Sequence, residues 1–106
     1  MRLRYSPEAR ADISATMRYI ADELCSPSAG ERIVGSILEC CSRLKAHPEL
    51  GASLAARTGL DTDLRYIVCG RHLVFYRIEE DFVSIIRILD GRTDYLKHIF
   101  EELFPD

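Results

Sequence analysis

The hydrophobic pattern of this 106-residue chain changes period once, near residue 64, and that change limits the fold more than any other feature. Before it, apolar residues recur every three or four positions, the spacing of one face of an α-helix. After it come three short runs rich in β-branched and aromatic residues, separated by turn residues. A chain that is helical first and extended later folds as α+β, with helices segregated from the sheet instead of alternating with its strands.

The opening Arg2-Leu3-Arg4-Tyr5 alternates polar and apolar, as a short half-buried strand does. Ser6-Pro7-Glu8 then supplies a capping hydroxyl, a proline suited to the first helical position, and an acid for the positive end of the helix dipole. Ala9, Ile13, Met17, Ile20 and Leu24 form the apolar stripe of that helix. Cys25-Ser26-Pro27 ends it and starts a second, whose stripe is Ile33, Val34, Ile37, Leu38, Cys41 and Leu44. So short a connection makes the two helices antiparallel neighbours, an αα-hairpin. The stripe stops at His47-Pro48, and residues 49–63 predict a loop with one helical turn around Ser53 to Arg57.

Leu64 to Cys69 and His72 to Ile78 flank a tight turn at Gly70-Arg71, and Phe82 to Leu89 follows the charged turn Glu79-Glu80-Asp81. Asp90-Gly91 ends the last strand, and Arg92 to Phe104 predicts a final helix with Tyr95, Leu96, Ile99, Phe100 and Leu103 on its apolar side. The predicted order is β-α-α-β-β-β-α in one domain over residues 1–106: an antiparallel β-sheet with the αα-hairpin packed on one face.

Composition narrows the function classes. A hydrophobic share of 47% with 29% charged residues describes an ordinary globule. No apolar run approaches the ~20 residues of a membrane helix, and the N-terminus lacks the apolar core of a signal peptide, so a cytoplasmic location is expected. Cys25, Cys40, Cys41 and Cys69 form no C-x-x-C pair and the three histidines lie apart from them, which predicts reduced thiols and neither a metal nor another cofactor. The net charge of −3 argues against broad, charge-driven binding to nucleic acid.

Four blocks in order resemble the RelE/ParE toxin superfamily over nearly the whole chain. They are Ser6-Pro7-Glu8-Ala9-Arg10-Ala11-Asp12-Ile13 with Tyr19-Ile20, then Leu44-x-x-His47-Pro48-x-x-Gly51. Leu64-Arg65 with His72-Leu73-Val74-Phe75-Tyr76-Arg77 follows, and then Ile85-Ile86-Arg87-Ile88-Leu89-Asp90-Gly91-Arg92-x-Asp94. The resemblance implies the toxin of a type II toxin–antitoxin system, neutralised by a cognate antitoxin that lays apolar side chains on the helical hairpin and the sheet. RelE-like members cut messenger RNA on the ribosome, whereas ParE-like members are associated with inhibition of DNA gyrase.

The residues favour the ParE-like branch and a ParD-like antitoxin. Metal-free RNA cleavage needs a base, an acid and cations for the phosphorane charge. Here His72 stands about where RelE-like nucleases carry a catalytic arginine, and the chain runs out in Glu101-Glu102-Leu103-Phe104-Pro105-Asp106 instead of a basic or tyrosine-bearing tail. No catalytic residue is assigned. The alternatives are a ribosome-dependent endoribonuclease and a decayed toxin surviving as a binding partner. Histidines 72 and 98 read as solvated or held by one backbone contact, and His47 as a helix terminus.

Arg65, Arg71, Arg92 and Asp94 are candidates for target contact, expected at one end of the sheet. Tyr19, Ile20, Leu24, Ile33, Ile37 and Leu44 are candidates for antitoxin contact, Ile37 and Leu44 having the stronger claim to the core. Arg87 interrupts an apolar strand, and a charge facing a core must be paired. Its expected partner is Asp12 on the first helix.

Overall fold

Ser6 sets the first boundary. In the computed structural model, which describes residues 1–104, its hydroxyl accepts from the Ala9 N–H at 3.0 Å and donates to the Ile86 carbonyl at 2.7 Å. The one side chain thus caps helix α1 (Pro7–Glu23) and ties the helix start to the sheet. Cys25, at φ 50°, turns the chain back, and the Ser26 hydroxyl caps α2 (Pro27–Ser42). The helices approach closely at Gly30, where a Cβ would lie 2.7 Å from the Met17 carbonyl. A 3₁₀ turn, Arg43–Lys45, prolongs α2.

The remaining elements are strand β1 (Arg2–Tyr5), the two-residue β2 (Ala52–Ser53), the short helix α3 (Leu54–Thr58), and strands β3 (Arg65–Cys69), β4 (His72–Ile78) and β5 (Phe82–Asp90). Helix α4 (Tyr95–Leu103) comes last. The single turn expected near residues 53–57 is α3. The sheet has five strands in the order β1-β5-β4-β3-β2, and β3, β4 and β5 form the expected antiparallel meander. β1 departs from the all-antiparallel expectation, because it runs parallel to β5, from Arg2 opposite Phe82 to Tyr5 opposite Ile85. Only a tight hairpin compels antiparallel pairing, and the long stretch between these two strands permits the parallel crossover.

Both faces of the sheet are covered, not one. The hairpin face joins Ala9, Ile37, Cys41 and Leu44 to Ile67, Val74, Tyr76, Val83, Ile85 and Ile88. The opposite face packs Phe75, Leu89 and Leu64 beneath Leu54 of α3 and Ile99 of α4. The unbroken run Leu73-Val74-Phe75-Tyr76 is the sequence trace of this double burial, since a strand with one wet face alternates. A bulge lies between the pairs Phe75–Arg87 and Tyr76–Ile85, leaving Ile86 as the extra residue on β5.

Two further expectations are corrected. Helix α4 begins at Tyr95, not Arg92, and turns Tyr95, Ile99 and Leu103 inward, so that Leu96 and Phe100 are exposed. The four cysteines are not all reduced, because Cys40 and Cys69 form a disulfide, with exposed Cys25 and buried Cys41 left free. Helix α2 crosses β3 and brings together two residues 29 positions apart, a distance no local motif encodes.

Candidate functional site

β1 stops at Tyr5, and beyond it the outer edge of β5 would be bare. Ser6 and Asp12 close that edge. The Asp12 carboxylate accepts the Ile88 N–H at 2.9 Å and two guanidinium N–H groups of Arg87 at 2.8 and 3.0 Å. Both side chains are mostly buried, 14% exposed for Asp12 and 17% for Arg87, and Glu102 of α4 lies 4.0 Å from the same guanidinium. The hydrogen bonds from Arg87 to Asp12 hold its pKa above the usual arginine value. Arg87 is registered opposite Phe75, on a strand with core on both faces, and the carboxylate replaces the water it lacks.

The four target-contact candidates do not form one cluster. Arg71 is exposed in the β3–β4 turn, and its carbonyl accepts the Gly91 N–H at 2.8 Å, which brings the end of β5 beside it. Arg92 grips Asp90 at 3.0 and 3.2 Å, an interaction that holds the Asp90 carboxyl down at about 2. Asp94 caps α4 through the Lys97 N–H. Arg65 lies at the opposite end of β3, correcting the expectation of a single cluster, and donates to the Gly51 carbonyl at 2.7 and 3.1 Å and to that of Glu49 at 3.3 Å. A five-residue strand is long enough to keep its first residue well away from the turn at its far end.

The expectation for His72 is solvation or a single backbone contact; the structure buries it, 8% exposed. It opens β4 on the hairpin face, opposite both Cys69 and Asp90. Burial pushes its pKa below the ordinary 6.5, against the attraction of Asp90. The unfolded chain therefore takes up this proton first, and the folded state loses stability as pH falls through about 6.5. Replacing His72 by Gln is expected to flatten the slope of Tm against pH between about pH 5 and 7, which thermal unfolding in a buffer series measures. A slope equal to the parent's would exclude the effect.

The antitoxin-contact candidates divide by burial. Tyr19 and Leu24 are each 57% exposed near the end of α1, Ile20 is half-buried, and Ile33 is half-buried against the hairpin core. Ile37 and Leu44 belong to the core, at 3% and 0% exposed, as α2 turns them onto the sheet. Leu38 of α2 is exposed in a hollow it shares with Leu3 and Tyr5 of β1.

A second apolar area was not anticipated. On the face away from the hairpin, Leu54 and Arg57 of α3, Tyr66 and Val68 of β3, Leu73 of β4 and Tyr95 line a shallow pocket. β2 pairs only with Arg65 and Tyr66, so the outer edge of β3 from Ile67 to Cys69 has no strand beside it among the described residues. Val68, 64% exposed, marks that edge. A valine out of phase with a buried pattern was the available signal.

Such an arrangement offers binding surfaces: exposed apolar side chains near the end of α1, and an open strand edge beside an apolar hollow. Among the described residues no helix is long and apolar enough to cross a membrane. No curated protein matches the chain. Among solved structures, the chromosomal ParDE TA system from P. aeruginosa superposes with a TM-score of 0.72 over 85% of this chain and 95% of that one. At 21% identity the likeness is one of fold. The sequence model of the family described as ParE toxin of type II toxin-antitoxin system, parDE, matches residues 3–95. That span carries both helices of the hairpin and every strand of the sheet, and the chain belongs to the ParE toxin family.

Proposed function

We propose that this ParE-family chain acts by binding, with DNA gyrase as its target and a ParD-like antitoxin as its neutralising partner. One observation carries the choice over RNA cleavage: five arginines around the sheet are already engaged, and among the described residues Arg71 of the β3–β4 turn stands without an ion pair. Arg65 serves backbone carbonyls, Arg77 pairs with Asp63, Arg87 with Asp12, Arg92 with Asp90, and Arg4 with Glu79. A phosphorane needs cations not committed elsewhere, together with an acid and a base in reach. The buried His72 has one of these paired arginines near it, Arg92, whose charge Asp90 already holds.

The antitoxin reading rests on the exposed side chains of Tyr19 and Leu24 near the end of α1 and on half-buried Ile20 and Ile33, apolar anchors of the kind a docking helix uses. The bare edge of β3 suits an added strand, whose alternate side chains would enter the hollow beside Val68.

Supercoiling by purified gyrase tests the target. Added chain is expected to inhibit it, and an equimolar ParD-like antitoxin to restore it. Untouched gyrase with messenger RNA cut on ribosomes would establish the nuclease reading instead. Unimpaired growth when the chain is expressed without antitoxin would leave a decayed toxin.

A further inference from the structure

Strand register sets three chemically active side chains in a row on the hairpin face of the sheet. Cys69 of β3 is opposite His72 of β4, and His72 is opposite Asp90 of β5. Directly opposed residues of antiparallel strands share a face, with Cβ atoms ~4.5–5.5 Å apart. The neighbouring row on that face is Ile67, Val74 and Ile88, all in the core under the hairpin. Cys69 is bonded to Cys40 of α2, with Cα atoms 6.1 Å apart, inside the range a disulfide spans. Its own exposure is 7%, whereas Cys40 is partly exposed, so a reagent approaches the bond from the Cys40 side.

Binding of gyrase or antitoxin uses none of this chemistry. We propose that Cys40–Cys69 is a thiol–disulfide exchange site for small thiols and disulfides of the glutathione class, with His72 as the proton acceptor for Cys69. In the reducing direction an external thiolate attacks the Cys40 sulfur, the Cys40–Cys69 bond breaks, and Cys69 leaves as a thiolate that is then protonated. A second external thiolate resolves the mixed disulfide. One small disulfide departs, two electrons have come from two external thiols, and both protein sulfurs end as thiols.

In the oxidising direction a small disulfide first thiolates Cys40, with loss of one small thiol. The His72 imidazole takes the Cys69 proton, the Cys69 thiolate attacks the Cys40 sulfur, and the second small thiol leaves. Burial favours the neutral imidazole, the form that can accept, and Asp90 on its other side offsets the cost of burying the imidazolium it becomes. Arg92, bound to Asp90, is the opposing charge nearby. Exchange makes or releases the covalent tie between α2 and β3, the strand whose outer edge lies open.

The test needs the whole purified chain and neither gyrase nor antitoxin. Thiols are alkylated in denaturant and counted by mass. Without reductant two are expected, Cys25 and Cys41; after native incubation with glutathione, four. Oxidised glutathione is expected to return the count to two, with a Cys40–Cys69 peptide on digestion. His72→Gln is expected to slow that closure about tenfold, within the ~30-fold separating a fully ionised thiol at pH 7 from one of ordinary pKa. Four thiols both before and after oxidised glutathione would overturn the proposal, as would a bond that opens only in denaturant, or closure of His72→Gln at the parental rate. If His72→Gln does not fold by circular dichroism, the native thiol counts of the parent decide alone.

Discussion

Asp12→Ala is expected to lower the stability of the chain by about 3 kcal/mol or more, in the range for breaking one side of a buried ion pair. The substitution removes more than an attraction. It leaves the Arg87 guanidinium, 17% exposed, without its hydrogen-bonded carboxylate, and it strips the Ile88 N–H of its acceptor where β1 no longer covers β5. Glu102, at 4.0 Å, is too far to replace two hydrogen bonds. Urea unfolding gives the number. Asp12→Asn keeps one acceptor oxygen and is expected to lose less. Asp12→Ala with Arg87→Met removes the stranded charge and is expected to recover part of the deficit, because the larger penalty is the unpaired ion. An Arg87→Ala chain as stable as the parent that no longer inhibits gyrase would instead make this residue a target contact.

Gly51→Ala is expected to be comparably damaging, about 2–4 kcal/mol from overpacking and a broken buried hydrogen bond. A Cβ at this position would sit 2.6 Å from both the Tyr66 carbonyl oxygen and the Tyr76 hydroxyl. That hydroxyl, on a side chain with no exposure, accepts the Gly51 N–H at 2.8 Å and donates to the Pro48 carbonyl at 2.7 Å. The pair of bonds pins the loop that follows α2, and the Gly51 carbonyl in turn receives Arg65. Tyr76→Phe strands one donor and one acceptor and is expected to cost about 1–3 kcal/mol. Combining the two changes is expected to cost less than their sum, since Phe removes the hydroxyl clash and the bond both changes break, while the Tyr66 carbonyl and the ring carbon Cε1 stay close. A Gly51→Ala chain with the parental unfolding midpoint would show that the loop yields at little cost.

Much of this architecture was readable because its determinants are local. Ser6 and Ser26 announce their helices through the hydroxyl and proline that follow, and both hydroxyls cap in the structure. The Asp12–Arg87 contact, though 75 residues apart, follows from a charge in an apolar strand requiring a partner and from few carboxylates being near enough. What escaped depends on phase or on long-range registration. Helix α4 has apolar residues on most of its circumference, so the choice of Tyr95, Ile99 and Leu103 over Leu96 and Phe100 is made by the sheet it meets. Cys40 and Cys69 are brought together only by the crossing of α2 over β3. Placing Arg65 with Arg71 overlooked the length of the strand between them, which was itself legible.

The parallel pairing of β1 with β5 also governs when this protein can become harmful. While the ribosome has delivered only β1 and the two long helices, the hairpin has no central strands to rest on and β1 has no neighbour to bond. The platform is complete only once Phe82 to Asp90 has emerged, so any surface that needs the whole sheet forms late in synthesis. A companion translated alongside it gains that interval as a head start.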